Sequence, residues 1–502
     1  MKKNIFNLLF IATTITLISG CKPGDFGDLN VSPNSPTKPV TSLMLTNAER
    51  FLGRSTLVTS TATAPGVINA YAPKLFVQQI SETLYTNEST YNLKIYDYSN
   101  IYNNPLIDLN TIIDLNTNPE TQNGPNVNQY GSPANQIAVA RILRAFYFQN
   151  MTDRWGDIPY TEALKGKSLL TPKFDKQQDI YTSLFKELKE AAAQFDNGDL
   201  PVGDILFNGS IARWKMFAAT IRMNMALRMS KADPATGRTE FNLALAAGVI
   251  NSNADNIVYK FLAESTNANN IYYNYEVARR YDYAISDIMV NKLASYTDPR
   301  LPVYADPTAA GTYVGMPYGL SQELASDYTV GNVNVKGNVS LIGKAFRSQD
   351  SPVRIFTYPE VLFSRAEAYK LGWITGAPDD GLAATTYLAG IAASMELNGV
   401  TAPVTYFTQA GVAYNPATGR EQIITQKWIA NYMGYGFEAW SDFRRTGFPV
   451  LRPSAYAFNI GGQIPVRQGY SNDEPSLNRA NYNAVVASQG PDELNTPIWL
   501  FK

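Results

Sequence analysis

Two carboxylate pairs, Asp282 with Asp287 and Glu360 with Glu367, carry residue types that serve general acid–base chemistry. A glycosidase needs two carboxyls roughly 5 to 9 Å apart across a sugar cleft. Spacings of five and seven bring such groups near one another on a helix. Glu367, however, stands within Arg365-Ala-Glu-Ala, where an ion pair is the plainer role. The rest of the catalytic repertoire is narrow. Among 502 residues there is no histidine and a single cysteine, Cys21. This excludes Ser-His-Asp and Cys-His nucleophiles, histidine-ligated zinc, thiolate metal sites and CxxC redox chemistry. Carboxylates, lysine, tyrosine and a Ser-Lys dyad remain.

Two further motifs fail on context. Gly434-Tyr-Gly436-Phe-Glu-Ala439 matches GxGxxA, but a helix-like segment precedes it where a dinucleotide site needs a strand. Asp114-Leu-Asn116-Thr-Asn118 begins like a calcium loop, yet Pro119 and Pro125 stand where Gly and Glu belong. No cofactor and no metal site is expected, although an irregular calcium site stays open. Tyrosine is abundant, with 31 in the chain, clustered at 71–102 and 272–283. Most tyrosines at this density pack with the hydroxyl satisfied; a few on loops can offer a flat face and a hydroxyl to a sugar or peptide.

Cys21 has no partner for a disulfide, and its position suggests a different bond. Lys2 and Lys3, an apolar run from Ile5 to Ile18, and Ile18-Ser19-Gly20-Cys21 have the order of a bacterial lipoprotein leader. The expectation is that residues 1–20 are removed and that Cys21 carries acyl chains, each buried methylene contributing about 0.8 kcal/mol of membrane affinity. Residues 21–39, rich in Pro, Gly, Asn and Ser, then read as a lipid-anchored linker. Loss of Lys2 and Lys3 moves the formal charge from −1 to −3, and no basic stripe suggests nucleic acid.

The elements that must position any site are helical. Helices are expected at 134–151, 175–195, 210–230, 358–373, 380–398 and 421–435. The first is apolar on more than one face and so central. Asp175 with Gln178 suggests a capping box for the second. They fall in pairs with short connections, the manner of stacked helical units. Between them run long segments of weak periodicity, about 52–133, 252–345 and 400–420, with short strands expected at 255–262 and 312–318. The expected organisation is one mainly α domain, 40–502, with these segments as loop insertions.

Five ordered stretches share one likeness: Leu29-Asn-Val-Ser-Pro33-Asn34; Asp298-Pro-Arg300-Leu-Pro302; Arg354 to Ala368 followed by Gly372-Trp373; Lys427-Trp428 through Gly434, Glu438, Trp440, Asp442, Arg444 and Arg445 to Pro449; and Ile464-Pro-Val-Arg467 with Glu474, Asn478, Tyr482 and Trp499. Together they make the chain similar to the SusD/RagB family of nutrient-binding outer-membrane lipoproteins, in its SusD-like branch. The resemblance implies tetratricopeptide-like helix pairs in a single body, with loops forming the binding face. It implies a cell-surface lipoprotein, held to the outer membrane only by its anchor, acting as a lid over a SusC-type TonB-dependent transporter. Its ligand would be an oligosaccharide or a peptide, delivered and not cleaved.

The motif residues themselves read as structural: Glu438, Asp442, Arg444 and Arg445 as an ion network, Trp428 and Trp440 as packing anchors. Starch-binding members use an aromatic arc that includes loop tryptophan, and no tryptophan falls on a loop here. Stacking would then fall to tyrosines. The candidate ligand residues are Tyr85, Tyr91, Tyr272, Tyr273, Tyr275, Arg280, Tyr281 and Asp282, with Arg279 beside them. Two other readings stand: a lipid-anchored glycan hydrolase using carboxylates, and a surface adhesin or scaffold without a small ligand.

Overall fold

A computed structural model describes residues 38–54, 63–65, 67, 69–331 and 335–502. Cys21, the leader 1–20, residues 21–37 of the linker and the Leu29–Asn34 motif lie outside the described residues. Helices of ten or more residues are numbered α1 Thr41–Arg50, α2 Ile107–Thr117, α3 Pro133–Trp155, α4 Gln177–Gln194, α5 Ile211–Arg228, α6 Pro234–Ala247, α7 Tyr358–Lys370, α8 Asp380–Leu397, α9 Gly419–Ala430, α10 Phe437–Thr446 and α11 Arg479–Gln489. The fold is mainly α, and its helices pack as neighbours in sequence: α3 on α4, α5 on α6, α7 on α8.

Local chemistry sets these boundaries. Ser132, Ser210, Asp233 and Asp379 cap α3, α5, α6 and α8 by accepting a backbone N–H three residues on. Pro133 and Pro234 occupy first-turn positions that lack an N–H partner anyway. α3 is buried nearly all round, through Ile142, Phe146, Tyr147, Met151 and Trp155, as its continuous apolar sequence requires. α4 departs from expectation. It starts at Gln177 without a side-chain cap. Asp175 instead accepts from the Tyr160 and Thr161 backbones, at 3.1 and 2.8 Å. Buried Gln177 donates to the Thr152 carbonyl at 2.7 Å and accepts from Leu500 N. Long-range bonds have taken the residues that a local box would use.

Most of the core is one apolar cluster. A second gathers Phe363 and Ala366 of α7, Tyr387, Ile391 and Met395 of α8, and Ile423 of α9. Gly390 lets α7 and α8 approach: a Cβ there would lie 2.8 Å from the buried Phe363 ring. Gly390→Ala is expected to cost about 1–2 kcal/mol net of its gain in helix propensity, read from the urea midpoint.

Three two-stranded sheets tie the long connections down. β1 Thr63–Pro65 pairs in parallel with β3 Ile95–Asp97. β2 Ile80–Glu82 pairs antiparallel with β5 Tyr283–Ile285, and β4 Ile257–Tyr259 antiparallel with β6 Val353–Phe356. β4 falls within the strand expected at 255–262. At 312–318 there is only a bridge, Ser286 with Met316. The segment 52–133 contains α2 and a π-turn at Tyr102–Leu106, and 252–345 contains helices Asp287–Ser295 and Gln322–Thr329.

The sequence motifs of the second half are internal braces. Arg445 grips both oxygens of Glu367, at 2.5 and 2.7 Å, and Asp442 at 2.7 Å. Lys427 meets Asp442 at 2.8 Å, and Arg420 meets Glu367 at 3.1 Å. Arg228 joins Asp153 to Glu438. Arg300 forms a bidentate pair with Asp298, at 2.9 and 2.7 Å, and also holds Ser394 and Gln426. The tryptophan N–H groups of Trp155, Trp214, Trp428 and Trp440 each donate to a buried acceptor, so these rings anchor the core.

Candidate functional site

The β2–β5 pair is the scaffold of the candidate site. Its ladder continues past β2, where Thr83 N donates to the Asp282 carbonyl at 3.0 Å and Thr83 Oγ1 to the Tyr281 carbonyl at 2.5 Å. Two residues on, Tyr85 emerges with 47% of its surface exposed. Opposite it, Asn269 caps the short helix Asn270–Tyr272, which runs into a π-turn, Tyr273–Val277. Such turns recur at functional sites because they re-aim side chains. Tyr273 is 60% exposed there, and Arg279 takes a left-handed φ of 51° to bring the chain back to β5.

Polar groups meet at this corner. The Arg280 guanidinium contacts Asp282 at 3.0 Å and lies 5.7 Å from the Tyr85 ring centroid. Asn274 donates to Asp282 at 3.2 Å. The fold therefore groups Tyr85, Arg280, Tyr281 and Asp282, with Tyr273 on the adjoining turn and Tyr272 half-buried before it. Asp282 is itself buried and orients Arg280.

Two predicted ligand residues are corrected. Tyr91 and Tyr275 are each only 2% exposed. Tyr91 bonds the Tyr318 hydroxyl at 3.3 Å and accepts from Ser454 N at 3.4 Å. Tyr275 donates to the Tyr283 carbonyl and packs edge-on against Tyr281 with centroids 5.4 Å apart. Both are struts beneath the face and offer no surface to a ligand.

Other residues flank the same loop and were not singled out by sequence. Tyr328 is partly exposed on the helix Gln322–Thr329, which is tied to the loop by Thr329 Oγ1 donating to the Thr83 carbonyl at 3.0 Å. Val330 follows with φ 52°, a strained value for a β-branched residue. On the other side, Phe458 N donates to the Thr90 carbonyl at 2.8 Å, and Tyr456 and Phe458 are exposed. The Ser321 cap before Gln322–Thr329 is the one sequence signal that marks the first of these elements.

Beneath the loop lie buried acids. Glu82 accepts from Ser89 N and Oγ at 2.8 and 2.6 Å, and burial pushes its carboxyl up to about 7. Burial and the neighbouring Glu82 push Glu88 up strongly. Burial brings the Lys74 ammonium down to about 7.

The carboxylate pairs do not form a cleavage site. Glu360 and Glu367 are both buried in the brace network. Burial and Glu438 raise Glu360 to about 8. Burial also acts to raise Glu367, but Arg445 and Arg420 outweigh it and hold the carboxyl below its ordinary value. Asp282 is buried and held by Arg280 and Asn274, while Asp287 opens the helix Asp287–Ser295 and pairs with Arg452 at 2.8 Å, so each carboxylate is engaged by partners of its own. GxGxxA contributes Gly436, whose φ of 87° opens α10, and the element before it is helix α9. Asp114 lies within α2 and accepts from Asn110 at 2.8 Å. Among the described residues no group of three His, Cys, Asp or Glu is placed to hold a metal ion, and no helix is long and apolar enough to cross a membrane.

The family model SusD-like_2, described as starch-binding associating with outer membrane, matches residues 33–471. No curated protein matches the chain. Among solved structures, a chitin-binding protein is 28% identical, with a TM-score of 0.72, covering 92% of this chain and 100% of its own. A SusD homologue from Bacteroides fragilis is 22% identical, with a TM-score of 0.75 and coverage of 92% and 100%. A chitin-binding SusD homologue from Flavobacterium johnsoniae is 22% identical, with a TM-score of 0.73 and coverage of 92% and 98%. The last two support the fold alone, whereas the family match spans most of the sequence. This chain belongs to the SusD/RagB family, in its SusD-like branch.

Proposed function

We propose that this protein is a non-catalytic, surface-exposed lipoprotein, anchored through Cys21, that captures an oligosaccharide on the Tyr85–Tyr273 face. It then passes the ligand to a SusC-type TonB-dependent transporter. The observation that carries the reading is the exposed Tyr85 ring beside the Arg280–Asp282 pair at the end of the β2–β5 ladder, with exposed Tyr273 on the adjoining π-turn. Flat rings match the apolar face of a sugar, and a guanidinium held by a buried carboxylate presents its remaining N–H groups to hydroxyls. The loops carry the ligand groups and the helical frame keeps them still. The chitin-binding relative makes chito-oligosaccharides the first probe, with malto-oligosaccharides and peptides beside them.

Calorimetric titration of the full chain in detergent tests this. With about 0.5–1.5 kcal/mol per stacking ring, taken from aromatic contacts, Tyr85→Ala with Tyr273→Ala should weaken glycan binding by at least about fivefold. Both side chains are exposed, so the thermal midpoint should hold. Unchanged affinity in the double variant sinks the assignment. For delivery, the chain should co-purify with a TonB-dependent transporter from outer membranes, and Cys21→Ala should leave the membrane fraction when that transporter is absent.

A further inference from the structure

We infer that the protein has a second ligand site, an anion pocket on the end of α1, which takes a carboxylate or sulfate group carried on a saccharide-sized ligand. It stands independently of the tyrosine face. The pocket is a concavity of about 400 Å³ between the end of α1 and the segment 261–270, within the usual range of small-molecule sites. The charged residues on its wall, among those described, are Arg50 and Arg54, four positions apart.

Neither arginine has a carboxylate partner among the described residues. Arg50 reaches only the Thr266 carbonyl, at a long 3.4 Å, and lies against the Tyr259 hydroxyl. Arg54 sits 5.4 Å over the Phe51 ring. The nearby acids are otherwise engaged: Asp108 accepts from Asn47 at 2.7 Å, and Glu264 accepts from Thr266 Oγ1 at 2.7 Å. Elsewhere arginines near carboxylates form ion pairs, as at Arg141, Arg228, Arg300, Arg347, Arg445 and Arg467. Arg50 and Arg54 are the two that share one concave wall.

Backbone geometry fixes the wall. Gly53 lies between the two arginines, and a Cβ there would fall 2.2 Å from the Tyr259 ring. Only glycine lets the chain close over Tyr259 on β4 and keep Arg54 beside Arg50. The wall is polar: Asn47, Ser265, Thr266 and Asn267 line it with the arginines, and the Phe51 and Phe261 rings lie buried behind them. Asn267 accepts the Tyr259 hydroxyl through Oδ1 at 2.9 Å, which leaves its two amide N–H donors for a ligand.

The combination selects a chemistry. A guanidinium binds carboxylate or sulfate through paired N–H donors, a match that an ammonium lacks. A concavity of about 400 Å³ has room for a sugar ring beside the anionic group. Amide donors fit hydroxyls. A uronic acid and a sulfated sugar share these features.

Digalacturonate is the test probe, titrated calorimetrically into the full chain, with neutral digalactose and a sulfated digalactose as companions. Digalacturonate or the sulfated sugar should bind at least tenfold more tightly than digalactose. That preference should weaken as sodium chloride rises. Arg50→Gln with Arg54→Gln should remove it, with an unchanged thermal midpoint because both side chains are exposed. Tyr85→Ala with Tyr273→Ala should leave it intact, which separates this site from the tyrosine face. Whichever acid binds more tightly identifies the group. Equal binding of the acidic and neutral sugars, or acidic-sugar binding that survives loss of both arginines, overturns the assignment.

Discussion

Glu367→Ala should remove about 3–5 kcal/mol of stability, the largest loss expected from any single substitution considered for this protein. The carboxylate is fully buried and takes both arms of Arg445 and one of Arg420. Truncating it leaves Arg445 with Asp442 and the Ser230 hydroxyl, and a buried guanidinium without the carboxylate it grips with both arms. The attraction between the pair matters less than the desolvation that becomes uncompensated when one member goes. Burial acts to raise the Glu367 carboxyl, but the arginines outweigh it and hold it below its ordinary value, so the folded state releases its proton more readily than the unfolded chain does. The contribution is therefore complete above the ordinary carboxylate range and is lost as pH falls through the lowered value. Urea denaturation at pH 7 measures the loss. A double-mutant cycle with Arg445→Ala should show coupling of more than about 1 kcal/mol. A loss below about 1 kcal/mol for Glu367→Ala would show that the brace is not structural.

The helices were legible because their signals are local. The apolar run of α3 and the Asp379 that caps α8 act within a few residues, and the pairing α3–α4 and α7–α8 follows from short connections. Of the α10 charges read as an ion network, Glu438, Asp442 and Arg445 do pair, with Arg228, Lys427 and Glu367, whereas Arg444 instead donates to the Asp153 and Val466 carbonyls and lies over the Trp440 ring. The site was legible only in part. Tyr85 and Tyr275 look alike in sequence, each a tyrosine in an irregular segment. What separates them is where the chain crosses itself. Tyr275 is sealed by Tyr283 and Arg347, and Tyr91 by Tyr318 and Ser454, residues up to 363 positions away. A tyrosine serves either side of a surface equally well, so its type cannot settle which side it takes. Tyr328 and Phe458 escaped notice for the same reason, as long-range bonds from Thr329 Oγ1 to the Thr83 carbonyl and from Phe458 N to the Thr90 carbonyl bring their segments to the loop. The Asp175 box failed because Tyr160 and Thr161, fifteen and fourteen residues upstream, compete for the same carboxylate.

Glu82→Gln should make the protein more stable at pH 8 and leave it nearly unchanged at pH 5. Glu82 lies at the end of β2, directly before the loop that carries Tyr85, and burial lifts its carboxyl from an ordinary 4.5 to about 7. Between those values the folded state holds a proton that the unfolded chain has released. Stability must then fall as pH rises from about 4.5 through 7, by up to about 3 kcal/mol, and level off above that. Glutamine keeps the acceptor for Ser89 N and Oγ without the charge, so it copies the protonated acid and removes the slope. The neighbours shape the rest of the curve. Glu88, also pushed up by burial, adds to the fall on the acid side. Asp282, held by Arg280, raises Glu82 further. Lys74 acts in the opposite sense: burial brings it down to about 7, so the unfolded chain binds the extra proton and stability recovers as pH climbs from 7 toward 10.5. The wild-type profile should therefore dip near neutrality, and the variant should keep only the part of the acid-side limb that Glu88 supplies. Parallel stability curves for the two proteins from pH 5 to 8 would show that Glu82 is ionised throughout. In the expected case, the loop bearing Tyr85 rests on a carboxyl whose protonated form favours the folded state, so the fold beneath the tyrosine face is more stable on the acid side of neutral.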